Sequence, residues 1–352
     1  MKHSFLGLVF FCAAAGLLQA QNQSAIQQYQ NTQQQQEQFN KIDATQKGEK
    51  DKEAAPELYP GENKDVGPQL LVRAVPRRQW IEATADSQYY YTSNVFLAKE
   101  TAPGSRSDTG VMVSTAQVAL APDPFDLWGG KVSPRIGFRY QWYNYGMDRN
   151  DNQDLPNGLN SLDFDAQTAF ADVRYQFLKD WIFTMGADFT RLVSHEPPLK
   201  DYHEFYKEAV PHFGLERLFT VSDNSAVSLA YTNYIHITDS TPAAPSSYSN
   251  NRMENAVTLS YTQQVIEHLI LQPYFRFQYD NYISSSGPGS NGSRMDLGYS
   301  TGLTAAYYFN NWASIRSFFT YDTRATHGLT NSSIYDYEVY NGGVGADMTF
   351  RF

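Results

Sequence analysis

The chain has 352 residues, a formal net charge of -10 and a single cysteine. This acidic balance lacks the basic surface on which nucleic-acid binding depends, so we expect no nucleic-acid partner. Aromatic residues make up 15% of the sequence, but no run of about 18 apolar residues is present after the first twenty, so no membrane-spanning helix is expected.

Residues 1–20 have the features of a secretory signal peptide. Lys2 and His3 precede an apolar run that ends at Leu18, and Leu18-Gln19-Ala20 fits a cleavage site. Cys12 lies inside this segment. We therefore expect a mature chain without cysteine, disulfide, metal site or cofactor.

Residues 21–55 are rich in glutamine and then in charge. This composition buries too little apolar surface to fold alone and favours a disordered periplasmic tail. A weak helix is the alternative, because Ile26, Tyr29, Phe39 and Ile42 could share one side. Residues 56–78 contain several prolines and glycines and predict an extended linker.

From residue 79 the chain alternates between two-faced strands and polar connections. Short turns such as Lys179-Asp180 and Glu267-His268 alternate with longer loops, which is the topology of outer-membrane barrels. We predict an all-β fold, a transmembrane antiparallel β-barrel of about twelve strands with both termini in the periplasm. The predicted strands cover 79–98, 109–120, 130–145, 160–177, 181–193, 209–220, 225–238, 252–265, 269–283, 294–309, 312–325 and 338–352.

Charged residues concentrate on one face of these strands. Within 269–283, for example, Leu271 and Phe275 share the lipid face, while Arg276 and Asp280 share the lumen face. The predicted lumen-facing charges are Glu82, Asp86, Arg135, Arg139, Asp172, Arg174, Asp188, Glu216, Arg276, Asp280, Arg316, Asp322, Arg324, Asp347 and Arg351.

These charges support two interpretations. They could line a pore that orients polar solutes, or they could form salt bridges that brace the wall and close a narrow lumen. The two signs are nearly balanced, so neither anion nor cation selectivity is indicated. Arg135 and Arg139, which lie two positions apart on the same face of one strand and four residues apart in sequence, are the best candidates for an anion-facing ladder.

Aromatic residues mark the predicted membrane boundaries. Trp80, Trp128, Trp181 and Trp312 all lie beside short turns, and tryptophan prefers the membrane–water interface. The last strand ends at a phenylalanine and carries Tyr340, Met348, Phe350 and Phe352 on one face. We interpret this face as a signal that the barrel-assembly machinery reads.

The stretch from Asp86 to Leu97, D-S-Q-Y-Y-Y-T-S-N-V-F-L, resembles the first strand of β-barrel porins from Gram-negative bacteria, in which a Y-T/S-x-N-V/I-F-L segment leads into the first outer loop. The resemblance extends loosely from Gln79 to Phe352. It implies an outer-membrane barrel in contact with lipid, and it carries over no catalytic or binding residue.

The sequence thus favours a non-enzymatic channel for passive diffusion of small hydrophilic solutes. The first alternative is a non-conducting structural or adhesive barrel, whose lumen would be filled by ion pairs and by Tyr90, Tyr274 and Phe318. The second is a barrel enzyme acting on lipid through Ser240 and His236, which needs these two side chains to meet on the exterior. We expect no catalytic residue and no metal ligand.

We predict that Phe352→Ser impairs assembly, because it removes the terminal aromatic residue of the last strand without changing a lumen-facing position. The measurement is the amount of heat-modifiable protein in isolated outer membranes. Wild-type levels of folded protein in this variant would refute the assembly signal.

Overall fold

The computed structural model describes residues 25–38, 80–97, 99, 108–148, 162–194, 203–238, 250–283, 294–328 and 336–352. The predicted signal peptide over 1–20, residues 21–24 and 39–55 of the tail, the linker over 56–78 and Ser240 lie outside these residues. One helix, α1, covers residues 25–38. The strands are β1 Ile81–Thr92, β2 Thr109–Leu120, β3 Phe125–Leu127, β4 Gly130–Tyr145, β5 Phe164–Leu178, β6 Trp181–Ser194, β7 His203–Ser222, β8 Ser225–Thr238, β9 Arg252–Ile266, β10 Leu269–Tyr282, β11 Met295–Tyr308, β12 Ala313–His327 and β13 Tyr337–Arg351.

The strands close into a ring of antiparallel neighbours. β4 to β13 pair in chain order, β13 pairs with β1, and β2 pairs with both β1 and β4. β3 has three residues and pairs only with the start of β4, which leaves a closed barrel of 12 strands. The predicted antiparallel β-barrel is confirmed.

The two rims of the barrel differ. One rim carries the short turns, the start of β1 and the end of β13, where Glu82 lies opposite Arg351. We call it the turn rim. The other, which we call the loop rim, carries the longer connections.

The largest differences from the predicted strand boundaries are at β1, at β7 and in the connection over 121–129. β1 ends at Thr92, because Leu97 has a left-handed backbone (φ 48°) and Asn94 donates its amide to the carbonyl of Glu338 at 3.1 Å. β7 begins at His203 instead of residue 209. The connection over 121–129 contains β3, which turns into β4 through Trp128 (φ 48°) and Gly129 (φ 80°), the positive-φ pair of a tight hairpin.

The outer face of the barrel is apolar. Leu259, at the middle of β9, lies opposite Leu229 on one side and Phe275 on the other, and all three are half-exposed. Side chains on the opposite face of the same strands are polar and buried, such as Thr258 and Arg276. This alternation, apolar outside and polar inside, is that of a transmembrane barrel.

No helix among the described residues is long and apolar enough to span a membrane.

We predict that Leu259→Arg destabilises the barrel by about 2–4 kcal/mol, because it places a charge at the centre of the apolar belt. The control is Val221→Arg at the turn rim, where the cost is expected to be about 0–1 kcal/mol. Denaturant unfolding in lipid vesicles measures both. Equal losses for the two variants would contradict a membrane-embedded belt.

Candidate functional site: the barrel lumen and its inner helix

Helix α1 lies inside the barrel. The Tyr29 hydroxyl is 2.9 Å from the Thr168 hydroxyl of β5 and 3.0 Å from that of Thr190 on β6. One turn further along the same face, Gln33 donates its amide to Gln141 of β4 at 2.7 Å. From another face, Gln34 donates to Gln278 of β10 at 3.0 Å. These contacts reach strands on different sides of the barrel, so the helix occupies the lumen.

Residues 25–38 of the tail therefore form a helix, which was the alternative to disorder. The sequence did not indicate that this helix lies in the barrel lumen. Gln28, Tyr29 and Thr32 are almost fully buried, at the spacing of one helical face. The Thr32 hydroxyl donates to the Gln28 carbonyl at 2.9 Å. A glutamine-rich segment folds here because the barrel wall supplies hydrogen-bond partners to its amides, which an isolated segment would lack.

The first turn of α1 packs into a hydrophobic cluster near the loop rim. Ala25, Ile26 and Tyr29 join Val95 and Tyr145, and the Tyr29 ring meets that of Tyr143 at 6.5 Å, edge to face. The other members of this loop-side cluster are Tyr90, Val111, Val113, Leu162, Phe164, Ala166, Leu192, Tyr206 and Phe318. Together, the cluster and the helix fill the loop-side half of the lumen.

The last turn of α1 carries its only charge, Glu37. This carboxylate accepts a hydrogen bond from the Tyr234 hydroxyl at 2.7 Å and lies 3.7 Å from the guanidinium of Arg276. Arg276 also pairs with Glu254 at 2.7 Å. Glu37 therefore joins the helix to an ion network on β8, β9 and β10.

This loop-side ion network is buried in the wall. The two ring nitrogens of His236 lie 3.0 Å from Glu208 and 3.3 Å from Glu254. The hydroxyl of Tyr206 donates to Glu208 at 2.7 Å. Buried charges of this kind are stable only when each has partners, so the network braces these strands against one another.

The turn-side half of the lumen contains a cavity of about 370 Å³, which we call the vestibule. Glu82 binds both Arg135, at 2.5 Å, and Arg351, at 3.0 Å. Further along β1, Asp86 pairs with Arg316 of β12 at 2.5 Å. These pairs neutralise part of the lining without filling the space.

Other vestibule charges are not paired in this way. Arg139 and Arg174 make no ion pair with a described residue, and Asp172 lines the same cavity. Asp188 lies deeper, in a second cavity of about 210 Å³ beside α1. Charges of both signs thus line the two cavities.

The structure places each predicted lumen-facing charge on the inner face of its strand. Besides those above, Asp280 accepts hydrogen bonds from Gln278, Asp322 from Ser300, Thr320 and Asn341, Glu216 from Ser228 and Asp347 from Ser314. Arg324 lies 3.7 Å from Asp296. Arg135 and Arg139, expected as a ladder, point to the same cavity, but Arg135 is engaged with Glu82.

Sequence reasoning missed two parts of this site. The first is α1, in particular Tyr29, Gln33 and Glu37, for which the sequence gives no signal beyond helical spacing. The second is the set of inward charges Glu208, Arg252, Glu254, Arg294 and Asp296. These lie at alternating positions on or beside β7, β9 and β11, so the same period-two pattern would have found them.

The predicted interface and assembly residues lie at the turn rim or on the outer face. Trp80, Trp128, Trp181 and Trp312 all flank strand ends of the turn rim. Tyr340, Met348, Phe350 and Phe352 are exposed on the outside. The Trp312 ring stacks on that of Phe350 at 5.5 Å, which links the tryptophan rim to the last strand.

The geometry of His236 does not fit a lipid-acting enzyme. Its ring is buried in the lumen between two carboxylates, whereas a pair that attacks lipid must open to the exterior. Among the described residues, no group of three or more histidine, cysteine or acidic side chains could hold a metal ion.

No family model and no curated protein matches the chain. The β-domain of the Bordetella autotransporter BrkA is 11% identical with a TM-score of 0.41, over 77% of this chain and 100% of that one. An outer-membrane channel from Pseudomonas putida F1 is 12% identical with a TM-score of 0.45, over 77% and 96%. A bacterial polysaccharide outer-membrane secretin is 13% identical with a TM-score of 0.39, over 76% and 98%. These likenesses assign the chain to no family.

We predict that Tyr29→Phe loosens the helix by about 1 kcal/mol, because it removes the hydroxyl that bonds Thr168 and Thr190. The two threonines remain bonded to each other at 3.0 Å, so the wall keeps its own pairing. Amide hydrogen exchange of residues 25–38 should then speed up about fivefold. Tyr231→Phe, which removes an exposed hydroxyl on the outer face, is the control and should leave the helix unchanged. Equal exchange in all three proteins would show that the hydroxyl does not hold α1.

Proposed function

We propose that this protein is an outer-membrane channel for small hydrophilic solutes, closed in its loop-side half by α1. The observation that carries the proposal is the polar attachment of the helix inside a polar lumen. Side-chain amide and hydroxyl groups and the Glu37 carboxylate make its hydrogen bonds to the wall, and no backbone–backbone hydrogen bond joins it to a strand among the described residues. Such contacts exchange for water at a net cost of only about 0.5–1.5 kcal/mol each.

The fit between α1 and the wall is also incomplete. Side-chain amide atoms of Gln30, Asn31, Gln35 and Gln38 are buried without a hydrogen-bond partner in the described part of the chain. A buried polar atom without a partner costs about 1–3 kcal/mol, so these atoms favour an alternative state in which water reaches them. The helix therefore suits a removable plug better than a permanent core.

The connection between helix and barrel permits this movement. Residues 39–80 join α1 to β1, and a chain of about 40 residues can reach about 130 Å when extended. A barrel with an apolar band about 25 Å tall is short by comparison. The helix can thus leave the lumen while every strand pairing of the barrel remains intact.

The lining suits small polar solutes of either charge. Arg139 and Arg174 offer positive contacts in the vestibule, and Asp172 and Asp188 offer negative ones nearby. Opposed charges orient a dipolar solute without strong selectivity for anions or cations. No chemical step is involved, and the lumen position of His236 counts against lipid hydrolysis.

The second candidate is a non-conducting structural barrel. The loop-side cluster favours it, because Tyr143, Phe164 and Tyr90 pack closely with the first turn of the helix. In that case α1 would be part of a permanent core. Conductance separates the two functions.

We predict that wild-type protein in planar bilayers is closed or opens rarely, whereas deletion of residues 25–38 gives steady, discrete openings. Deletion of residues 41–54, which shortens the tail equally and keeps α1, is the control and should behave as wild type. All three proteins must first show heat-modifiable folding, so that silence cannot reflect misfolding. Silence of the folded 25–38 deletion would refute the channel and leave the structural barrel.

A covalent lock provides the reverse test. Gln33→Cys combined with Gln141→Cys places two thiols across the helix–wall contact in a chain otherwise without cysteine after residue 12. Bridging them with a bis-maleimide should abolish the remaining wild-type openings. Unchanged openings after complete cross-linking would show that solutes pass without movement of α1.

A further inference from the structure

We infer that the lumen holds a binding site for a small oxyanion, such as phosphate or a short carboxylate, between α1 and the wall formed by β9 to β12. The site is a cavity of about 60 Å³, which we call the arginine cavity. Asn250 and Tyr337 in its lining lie beside the loop-rim ends of β9 and β13. Binding depends only on the described lumen, whereas its effect on the channel rests on the proposed function.

The wall side of the arginine cavity presents four guanidinium groups. Two of them are held over tyrosine rings, Arg294 over Tyr282 at 4.3 Å and Arg324 over Tyr337 at 4.6 Å. Such contacts fix the position of a guanidinium group before a ligand arrives. The four groups belong to Arg252 on β9, Arg276 on β10, Arg294 directly before β11 and Arg324 on β12.

Carboxylates do not balance these groups within the lining. Among the described residues, Asp280 and Asp322 are the two carboxylates that line the cavity, and side chains of the wall already donate hydrogen bonds to both. Glu254 and Asp296, which pair with two of the arginines, lie outside the lining. Four arginines therefore face two aspartates, and this excess favours an anion.

The ion pairs of the wall also leave donors unused. Arg276 binds Glu254 at 2.7 Å, and the Nε of Arg252 lies 3.9 Å from the Asp280 carboxylate, too far for a hydrogen bond. The Nε groups of Arg252 and Arg276 are buried without a hydrogen-bond partner in the described part of the chain. These two side chains are deeply buried, since the residues are only 4% and 2% exposed.

The helix side of the cavity adds donors of the same kind. Gln27, Gln30, Asn31 and Gln34 line it at the i, i+3, i+4 and i+7 spacing of one helical face. The side-chain nitrogens of Gln30 and Asn31 are buried, and no described residue accepts a hydrogen bond from them. The unpartnered polar atoms of the described lining are therefore all N–H donors, two from the helix and two from the wall.

Donors that converge without acceptors require a ligand rich in acceptor atoms. An oxyanion offers several oxygens and a negative charge, and guanidinium groups bind carboxylate and phosphate more strongly than neutral acceptors. A cavity of about 60 Å³ holds about four or five waters. That space fits a compact ion of about five non-hydrogen atoms and is too small for a sugar.

An oxyanion at this position would join α1 to the wall. In the proposed function, the unpartnered amides of Gln30 and Asn31 favour departure of the helix, because water reaches them only outside. The bound anion gives the same amides acceptors while the helix stays in the lumen. Binding therefore stabilises the closed state, and the anion acts as a ligand that keeps the plug in place.

Amide hydrogen exchange of residues 25–38 and calorimetric titration, both on refolded full-length protein, test the site. The probes are inorganic phosphate and acetate, each compared with sodium chloride at equal ionic strength and pH. Gln30→Met combined with Asn31→Leu removes both helix donors, keeps side-chain size and leaves every ion pair of the wall intact. Gln35→Met is the control, since it makes the same change on the same helix at a residue that lines a different cavity.

We expect phosphate to bind wild type with saturation at about one ion per chain and to slow the exchange of residues 25–38. The double variant should bind at least about tenfold more weakly and lose the slowing, whereas Gln35→Met should match wild type. Slowing by either anion supports the site, and their ranking assigns it to phosphates or to carboxylates.

Two results would overturn the inference and leave water as the partner of these donors. One is equal exchange of wild type in phosphate, acetate and sodium chloride, and the other is binding that the double variant does not weaken. Neither measurement uses conductance. A protein that binds phosphate but never opens would therefore refute the proposed conduction alone, and a conducting protein that binds neither anion would refute the site alone.

Discussion

Closure of the backbone hydrogen-bond ring is the constraint on which the rest of this structure depends. Unpaired amide and carbonyl groups cost several kcal/mol in lipid, so a sheet can cross a membrane only when its edges meet. Here β2 meets β4 and β1 meets β13. Alternation then assigns every second side chain to lipid and the others to the lumen. Among the described residues, buried apolar side chains inside the barrel collect mainly in the loop-side cluster, and most other buried inward positions are polar.

A polar interior must be stabilised by its own pairing, and the two halves of the lumen achieve this differently. At the turn side, Glu82 accepts two arginines and Arg316 holds Asp86, while a cavity remains open between them. At the loop side, α1 replaces water and supplies amides, one carboxylate and one buried tyrosine. The sequence left open whether the lumen-facing charges brace the wall as salt bridges or line a pore. In the structure the answer differs from one residue to the next. Arg135 is bound to Glu82, whereas Arg139, on the same face, has no ion-pair partner among the described residues.

The barrel was predictable from sequence because its signal is local and repeated. Each strand shows the period of two within its own residues, and the bounds of β2, β4 and β8 match the prediction. The helix was not predictable, because its partners are distant in sequence: Gln34 bonds Gln278, 244 positions away. The prediction of a disordered tail considered only the apolar surface that residues 21–55 could bury on their own. That reasoning does not apply to residues 25–38, because the barrel surrounds them with polar partners. Glu208 was missed because the predicted strand began at residue 209, whereas β7 begins at His203. Glu254 was missed because no inward face was assigned to its strand.

The composition of α1 also explains how one segment can close a charged lumen and still leave it. A helix rich in lysine and glutamate would form ion pairs with the wall, and breaking one partner from a buried pair costs about 3–5 kcal/mol. Neutral amides accept from arginine and donate to carboxylate or carbonyl oxygens, so they match a lining of either sign. They also return to water without the large solvation change of an ion. Glu37 is the exception, because it is the one charged side chain of α1 and lies at the last turn beside Arg276 and Tyr234. At the first turn, Ala25, Ile26 and Tyr29 add apolar contacts to the loop-side cluster.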